Sequence, residues 1–303
     1  MRRNLVMLIA LALIWGASFL FIKVAVRELT PATLILGRLG LAAVTLALVA
    51  PFVVRTGETR RQLREHWRWL VVVALVNTTI PFWLLSWGET RIDSGLASII
   101  QAAVPIFNAL IAFVAFHEVR VTGSRLAGVA IGFVGVALLV GAQPEGKVLG
   151  ALAVVGMAFC YGLGGLLTGR YLKPVQPIVV SLASTAIAAA VALPAGVAQA
   201  PSEMPNWKTI GSVVALGIPG TALAYLLFFA LITGPGAAYA SLVTYLIPPI
   251  ALAYGAVFLG ERFGAAALGG LALILAGVAL GTGAIRVARF QRARFMGETR
   301  FPP

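Results

Sequence analysis

Acidic residues, histidine and cysteine are all scarce in this 303-residue chain, which has ten Asp and Glu, two His and one Cys; charged residues make up only 11% of it. A soluble domain carries roughly 25% charge, and here 60% of the residues are hydrophobic. That balance excludes an ordinary water-soluble fold. The lone Cys160, set in an apolar run, excludes an internal disulfide. His66 and His117 fall on separate loops with no cluster of carboxylates beside them. An enzyme acting on lipid-linked substrates needs His, Asp or Glu gathered at one membrane face, so that class is disfavoured, and no metal or cofactor site is visible. Between Lys208 and Glu261 there are 52 positions without a charge. At about 1.5 Å of rise per residue they would reach across roughly two bilayer cores, with the break at Thr233-Gly234-Pro235-Gly236.

What is present is a series of apolar runs of membrane-spanning length. They predict ten helices, near 5–26, 32–54, 69–88, 94–116, 126–142, 148–169, 177–198, 209–233, 236–259 and 265–285, joined by short connections. The longest connections are the arginine-rich stretch Arg55 to Arg68 and the stretch Ala200 to Trp207. The first run continues past Trp15 through Ile22 without a small-residue cleavage site, so it reads as a retained span rather than a signal peptide. An even number of spans puts both termini on one side. Sixteen of the 23 Lys and Arg then lie on that side, six on the other, and Arg38 inside a helix. This asymmetry places both termini in the cytoplasm. It also accounts for the net charge of +13 without a nucleic-acid partner. The expected fold is an all-α integral membrane protein of the inner membrane, monomer or homodimer, whose partners are the lipid bilayer and a small-molecule substrate.

The chain repeats itself. At a shift of 143, Ala97-Ser98 meets Ala240-Ser241, Pro105 meets Pro248 and Glu118 meets Glu261. At a shift of 146, Trp15-Gly16 meets Tyr161-Gly162 and Pro31 meets Pro177. The halves are 1–142 and 143–285, followed by a basic tail, 286–303. Five helices per half is an odd number, so the second half enters the membrane from the opposite side. That inverted repeat is the way secondary transporters build one site with two gates.

Taken together, Trp15-Gly16 and Phe19, Arg38 with Ala42, Ala97-Ser98, Pro105, Glu118 and the glycine-rich fifth helix, echoed by Ala240-Ser241, Pro248, Gly260-Glu261 and a glycine-rich tenth, resemble the drug/metabolite transporter superfamily. Within it they are most similar to the ten-helix EamA-type permeases. The resemblance covers roughly residues 5 to 285. It implies a plasma-membrane permease exporting or exchanging small metabolites, with amino acids, aromatic ones among them, as the expected substrates. His117 departs from the glycine usual before the first glutamate, and Ser184 stands where Arg38 has its counterpart.

Interruptions at matching places in two halves point to a transport site. They are Pro105 with Pro248 and, less closely aligned, Pro81 with Pro219. On the fourth helix Ser94, Ser98, Gln101, Pro105 and Asn108 share one face. The ninth adds Ser241, Thr244 and Tyr245, the eighth Thr221, Tyr225 and Phe228, and the third Asn77, Thr78, Trp83 and Ser86. Trp15 and Ser18 on the first helix and Tyr161 on the sixth complete the candidate lining, where the tryptophans serve either packing or an aromatic face toward substrate. Arg38 either meets a substrate carboxylate or snorkels outward. Glu118 and Glu261 either cap a neighbouring helix or latch a gate. Gly128-x-x-x-Gly132 and Gly277-x-x-x-Gly281 allow close helix approach, within the chain or across a dimer. No acid falls in mid-helix, and the first helix reads LALIWGAS, so transport of neutral or zwitterionic solutes without proton coupling is expected. The alternative is a glycolipid or nucleotide-sugar translocator, which needs several basic residues in the cavity where only Arg38 is available.

Overall fold

Thr30 begins the second helix by accepting the Thr33 amide on its hydroxyl at 3.3 Å, with Pro31 in the first turn, where a missing N–H costs nothing. Asn206 begins a later helix in the same way, accepting the amides of Lys208 and Thr209 at 2.9 and 3.0 Å, while Glu28 accepts the Asn206 amide at 3.0 Å and its side-chain Nδ2. The computed structural model describes residues 2–115, 123–144, 147–233, 237–240 and 242–281, and among them every regular element is helical. In chain order these are α1 Arg2–Ala25, α2 Pro31–Val53, α3 Thr56–Ala74, a π turn Leu75–Thr79, α4 Ile80–Glu89, α5 Ser94–Gln101, α6 Val104–Val114, α7 Gly123–Gly141, α8 Val148–Tyr171, α9 Pro177–Ala198, α10 Trp207–Gly217, a second π turn Ile218–Leu223, α11 Ala224–Thr233, α12 Ala237–Ala240, α13 Val243–Leu259 and α14 Ala265–Gly281. Seven helical stretches are long and apolar enough to cross a membrane, and three shorter apolar helices accompany them: Leu126–Gly141, Val243–Leu259 and Ala265–Leu280. Large apolar side chains such as Leu48, Phe52, Val114, Leu149 and Val257 face outward, a surface suited to lipid rather than water.

Two elements differ from the sequence expectation. The Arg55 to Arg68 stretch is not a loop, because α3 begins at Thr56 and runs without a break into the apolar part. Its polar turns hold themselves helical: Glu58 accepts bonds from Arg61 at 2.9 and 2.7 Å and from Gln62 at 2.6 Å, all at helical spacing. Gln62 then accepts the Gln176 amide at 2.8 Å, tying this extension to the start of α9. The second difference concerns the paired prolines. The chain breaks at Ala102–Ala103, just before Pro105, whereas Pro248 and Pro249 lie inside α13.

Helices from early in the chain pack against helices from late in it. α2 packs on α9, α7 on α14, α1 on α10 and α13, and α8 on α4 and α6. The α7/α14 contact is backbone to backbone: a Cβ on Gly277 would stand 2.6 Å from both the Gly128 carbonyl oxygen and the Gly132 nitrogen. The glycine spacing therefore serves packing within the chain. At the end of α13, Gly260 adopts φ 68, which reverses the chain and aims Glu261 at the start of α5. The Glu261 carboxylate accepts the amides of Ser94 and Gly95 at 2.8 and 3.0 Å and the Ser94 hydroxyl at 3.0 Å. Asp93, the local capping position, makes no such bond.

Candidate substrate cavity

A π turn opens a helix by one residue and leaves carbonyls without their usual partners, and such turns gather at functional sites. Both π turns here are closed by threonine in the same way. Thr79 donates its hydroxyl to the Ala74 carbonyl at 3.0 Å, and Thr221 to the Leu216 carbonyl at 2.8 Å, each five residues back. Pro81 and Pro219 accompany the two openings, since neither can donate an amide to the ladder.

Arg38, on α2, is only 7% exposed and joins the two sides. Its Nε donates to Thr221 Oγ1 at 3.1 Å, and its guanidinium lies 4.3 Å from the centre of the Phe82 ring on α4. A cation on an aromatic face removed from water gains about 2 kcal/mol. The two terminal nitrogens of Arg38 have no partner among the described residues. Around the guanidinium stand Tyr161 from α8, Tyr225 from α11 and Glu89 from the end of α4, and Thr78 faces Tyr225. The arrangement is a buried cation with free donors, walled by aromatic rings and hydroxyls. Chemically it suits a small anion or carboxylate carried by a molecule with an apolar or aromatic body.

Of the remaining expected residues, Trp15 packs at 5.3 Å from Phe228, and Ser18 donates to the Ile14 carbonyl at 3.2 Å while its hydroxyl abuts Gly220 in the second π turn. Asn77 abuts Gly164 on α8. Asn108 donates to the Gly162 carbonyl at 3.3 Å. Trp83 and Tyr161 pack around Ile35, Leu39 and Phe82. Thus α1, α2, the two π turns, α4, α8 and α11 converge. Ser98 takes no part in this group, because it is fully buried and donates to the Gly95 carbonyl at 2.6 Å. Gln101 ends α5 half-buried, and Thr244 and Tyr245 sit half-buried in the first turns of α13, with Tyr245 against the central core. None of these four makes a hydrogen bond to the Arg38 group among the described residues. Ser241 and Glu118 lie outside the described residues.

Sequence reasoning overlooked three residues. Phe82 was hidden among other apolar positions. Lys23 was read only as a topology charge, yet its ammonium donates to the carbonyls of Glu89 and Ile92 at 2.7 and 2.6 Å, satisfying the end of α4. Glu89 reads in the sequence only as an acid at a helix end, whereas it is 0% exposed and neither carboxylate oxygen has a partner among the described residues. A usable signal existed: an acid in the last turn of a helix opposes the helix dipole and so needs another reason to be there.

Residues 2–141 and 148–282 each match the model described as the EamA-like transporter family. The chain is 31% identical over 291 residues to a probable terminal-alkyne amino-acid exporter of Streptantibioticus cattleyicolor, covering 88% of this chain and 89% of the relative. It is 26% identical to a probable amino-acid metabolite efflux pump of Salmonella typhimurium, covering 96% and 98%. A crystal structure of a protein at 19% identity superposes with a TM-score of 0.64 over 93% of this chain and 97% of the other, a likeness of fold.

Proposed function

From the premise that the chain belongs to the EamA-like transporter family, and is therefore a multi-pass inner-membrane transporter rather than an enzyme, we propose that it exports amino acids, including aromatic ones, by alternating access. In this reading ten helices form two inverted repeats, 1–142 and 143–285, with both termini cytoplasmic, and the central cavity opens first to one side and then to the other. The observation that carries the reading is the pair of threonine-closed π turns, Leu75–Thr79 and Ile218–Leu223: Thr221 of the second accepts from buried Arg38, while the first brings Thr78 to Tyr225 and leads into Phe82 under the guanidinium. Breaks at matching positions in two halves are where transporters place substrate. Arg38 binds the substrate carboxylate, while Tyr161, Tyr225 and Phe82 face its side chain. The cargo named for the relatives, a terminal-alkyne amino acid in one and an amino-acid metabolite in the other, fits that chemistry.

The test is exchange of a panel of labelled L-amino acids, neutral and aromatic, in proteoliposomes at equal pH on both sides. Several members should exchange, and Arg38→Ala should reduce exchange at least tenfold while the protein remains monodisperse. If no member exchanges, the substrate class is wrong; if Arg38→Ala exchanges normally, the site is wrong.

A further inference from the structure

The polar turns of α3 carry more positive charge than their own acids can match, since four arginines against two glutamates leave a formal charge of +2 over residues 56–68. Arg61 bonds Glu58 and lies 3.7 Å from Glu65, so a single cation answers both acids. Arg60 and Arg64 have no partner among the described residues, and Arg68 has only the Trp67 ring, 5.5 Å from its guanidinium carbon. Positions 60, 64, 67 and 68 share one face of the helix. All four are exposed, Trp67 by 57%. The opposite face is turned to the protein, with Gln62 and Leu70 buried and Leu63 and His66 half-buried.

Depth decides what can meet these cations. Leu63 and Leu70, which bracket Arg64, Trp67 and Arg68 in the chain, belong to one apolar cluster with Leu46 and Ala50 of α2 and Ile178 of α9. The exposed face of α3 therefore stands at the level of the last turns of α2 and not beyond its end. At that level α2 turns Leu48, Phe52 and Val53 outward. A guanidinium beside such a surface is at the edge of hydrocarbon, where it reaches for the headgroup layer or meets an anion in it. Exposed tryptophan belongs to the same layer, with its ring against acyl chains and its N–H toward polar groups. A nucleic acid or acidic protein arriving from solution would meet the tip of α3 and not this face. An open hollow of about 530 Å³ lies against Arg60, Arg61, Arg64 and Glu65, room enough for a phosphoglycerol headgroup.

We propose that the outward face of α3 between Arg60 and Arg68 is a binding site for anionic phospholipid, with lipid phosphates on Arg60, Arg64 and Arg68 and the glycerol–acyl boundary against Trp67. A guanidinium offers a phosphate two parallel hydrogen bonds and is more weakly hydrated than an ammonium, so it suits this half-wet layer. Residues four apart on a helix stand about 6 Å apart along its axis. The row therefore presents two intervals, one between Arg60 and Arg64 and one between Arg64 and Arg68. A lipid with two phosphates joined through a glycerol fills both intervals with one molecule, whereas a lipid with one phosphate fills one. The back of the helix is fixed by the Gln62 bond to the Gln176 amide and by packing on α9, so the row is held ready for its ligand. The expected order of affinity is cardiolipin, then phosphatidylglycerol, then phosphatidylcholine, whose phosphate is already answered by its own choline.

The test uses the full chain, delipidated in a neutral detergent, and requires no transport, so its outcome is independent of the amino-acid reading. Native mass spectrometry of the wild type titrated with each lipid should show cardiolipin retained under conditions that strip phosphatidylcholine. Arg60→Gln/Arg64→Gln should weaken cardiolipin binding by about tenfold or more. Arg2→Gln/Arg3→Gln removes the same charge from the exposed start of α1 and should leave binding within about twofold of wild type. Both variants alter exposed side chains, and an unchanged Tm in lipid-free detergent verifies that each is folded. Brominated-chain cardiolipin should quench tryptophan fluorescence more than brominated phosphatidylcholine does, and Trp67→Phe should abolish that excess. Inorganic phosphate should not displace the lipid. Equal loss of binding in the two arginine variants, excess quenching that survives in Trp67→Phe, or displacement by inorganic phosphate overturns the lipid site. Equal affinity for phosphatidylglycerol and cardiolipin overturns the two-phosphate row.

Discussion

Removing the Glu261 carboxylate is expected to destabilise the protein more than removing Asp93, although Asp93 holds the local capping position of α5. The Glu261→Ala change deletes bonds of 2.8, 3.0 and 3.0 Å to two amides and a hydroxyl, whereas the Asp93 side chain makes no capping bond. A hydrogen bond to a charged group contributes about 1.5–3 kcal/mol. Glu261 is half-exposed and its three bonds share one acceptor group, so the sum is discounted to roughly 2–3 kcal/mol, near the upper range for losing a helix cap. At about 2–4 °C per kcal/mol for a chain of this size, Tm should fall by roughly 4–12 °C. Ser94→Ala, which loses one of the three bonds, should cost about 1 kcal/mol. The double mutant should fall short of the sum by a similar amount, since the two groups touch. Heating the detergent-solubilised protein and following tryptophan fluorescence provides the measurement. If Asp93→Ala lowers Tm as much as Glu261→Ala does, the assignment of the α5 cap to Glu261 is refuted. Exchange kinetics then separate the two roles left open by the sequence: a cap that persists through the cycle changes Tm alone, and a latch also speeds opening.

Two further changes test the packing. Thr221→Val should cost about 1–3 kcal/mol, more than Thr79→Val, because it orphans both the Leu216 carbonyl and the Arg38 Nε while Thr79→Val orphans only the Ala74 carbonyl; paired unfolding curves decide the order. Gly277→Ala should cost about 1–3 kcal/mol by forcing α7 and α14 apart, whereas Gly269→Ala, whose new methyl would meet only a Leu138 methyl at 3.8 Å, should be neutral or slightly stabilising in the same assay.

The apolar spans were legible because hydrocarbon length and composition impose them directly: the sequence boundaries of the seventh, 177–198, coincide with α9, and those of the sixth start with α8 at Val148. The beginning of the third was not legible. Its first turns are arginine-rich and read as a loop by hydropathy, yet Glu58, Arg61 and Gln62 satisfy one another along a helix. Hydropathy reports where a segment meets lipid, whereas helicity continues for as long as backbone and side-chain bonds support it. The prolines carried a similar ambiguity. Proline removes one amide, but whether the chain then breaks, as before Pro105, or continues, as through Pro248 and Pro249, depends on what the neighbouring helices supply. Residue type alone does not encode that.

The site shows the same division more sharply. Arg38 stood out because a charge within a span is rare, and the polar positions of the third, sixth and eighth spans gather around it. Ser98 shared a face with Gln101 in the sequence, but a serine in a helix can turn its hydroxyl back onto its own backbone, and Ser98 does so. Glu89 and Lys23 fall at helix ends in the sequence, and a helix end is ordinarily assumed to be wet. That assumption fails where α1, α2 and α8 close over the end of α4 and Lys23 fills its carbonyls. Depth along a span and exposure to water are separate quantities, and only the second sets the cost of a charge.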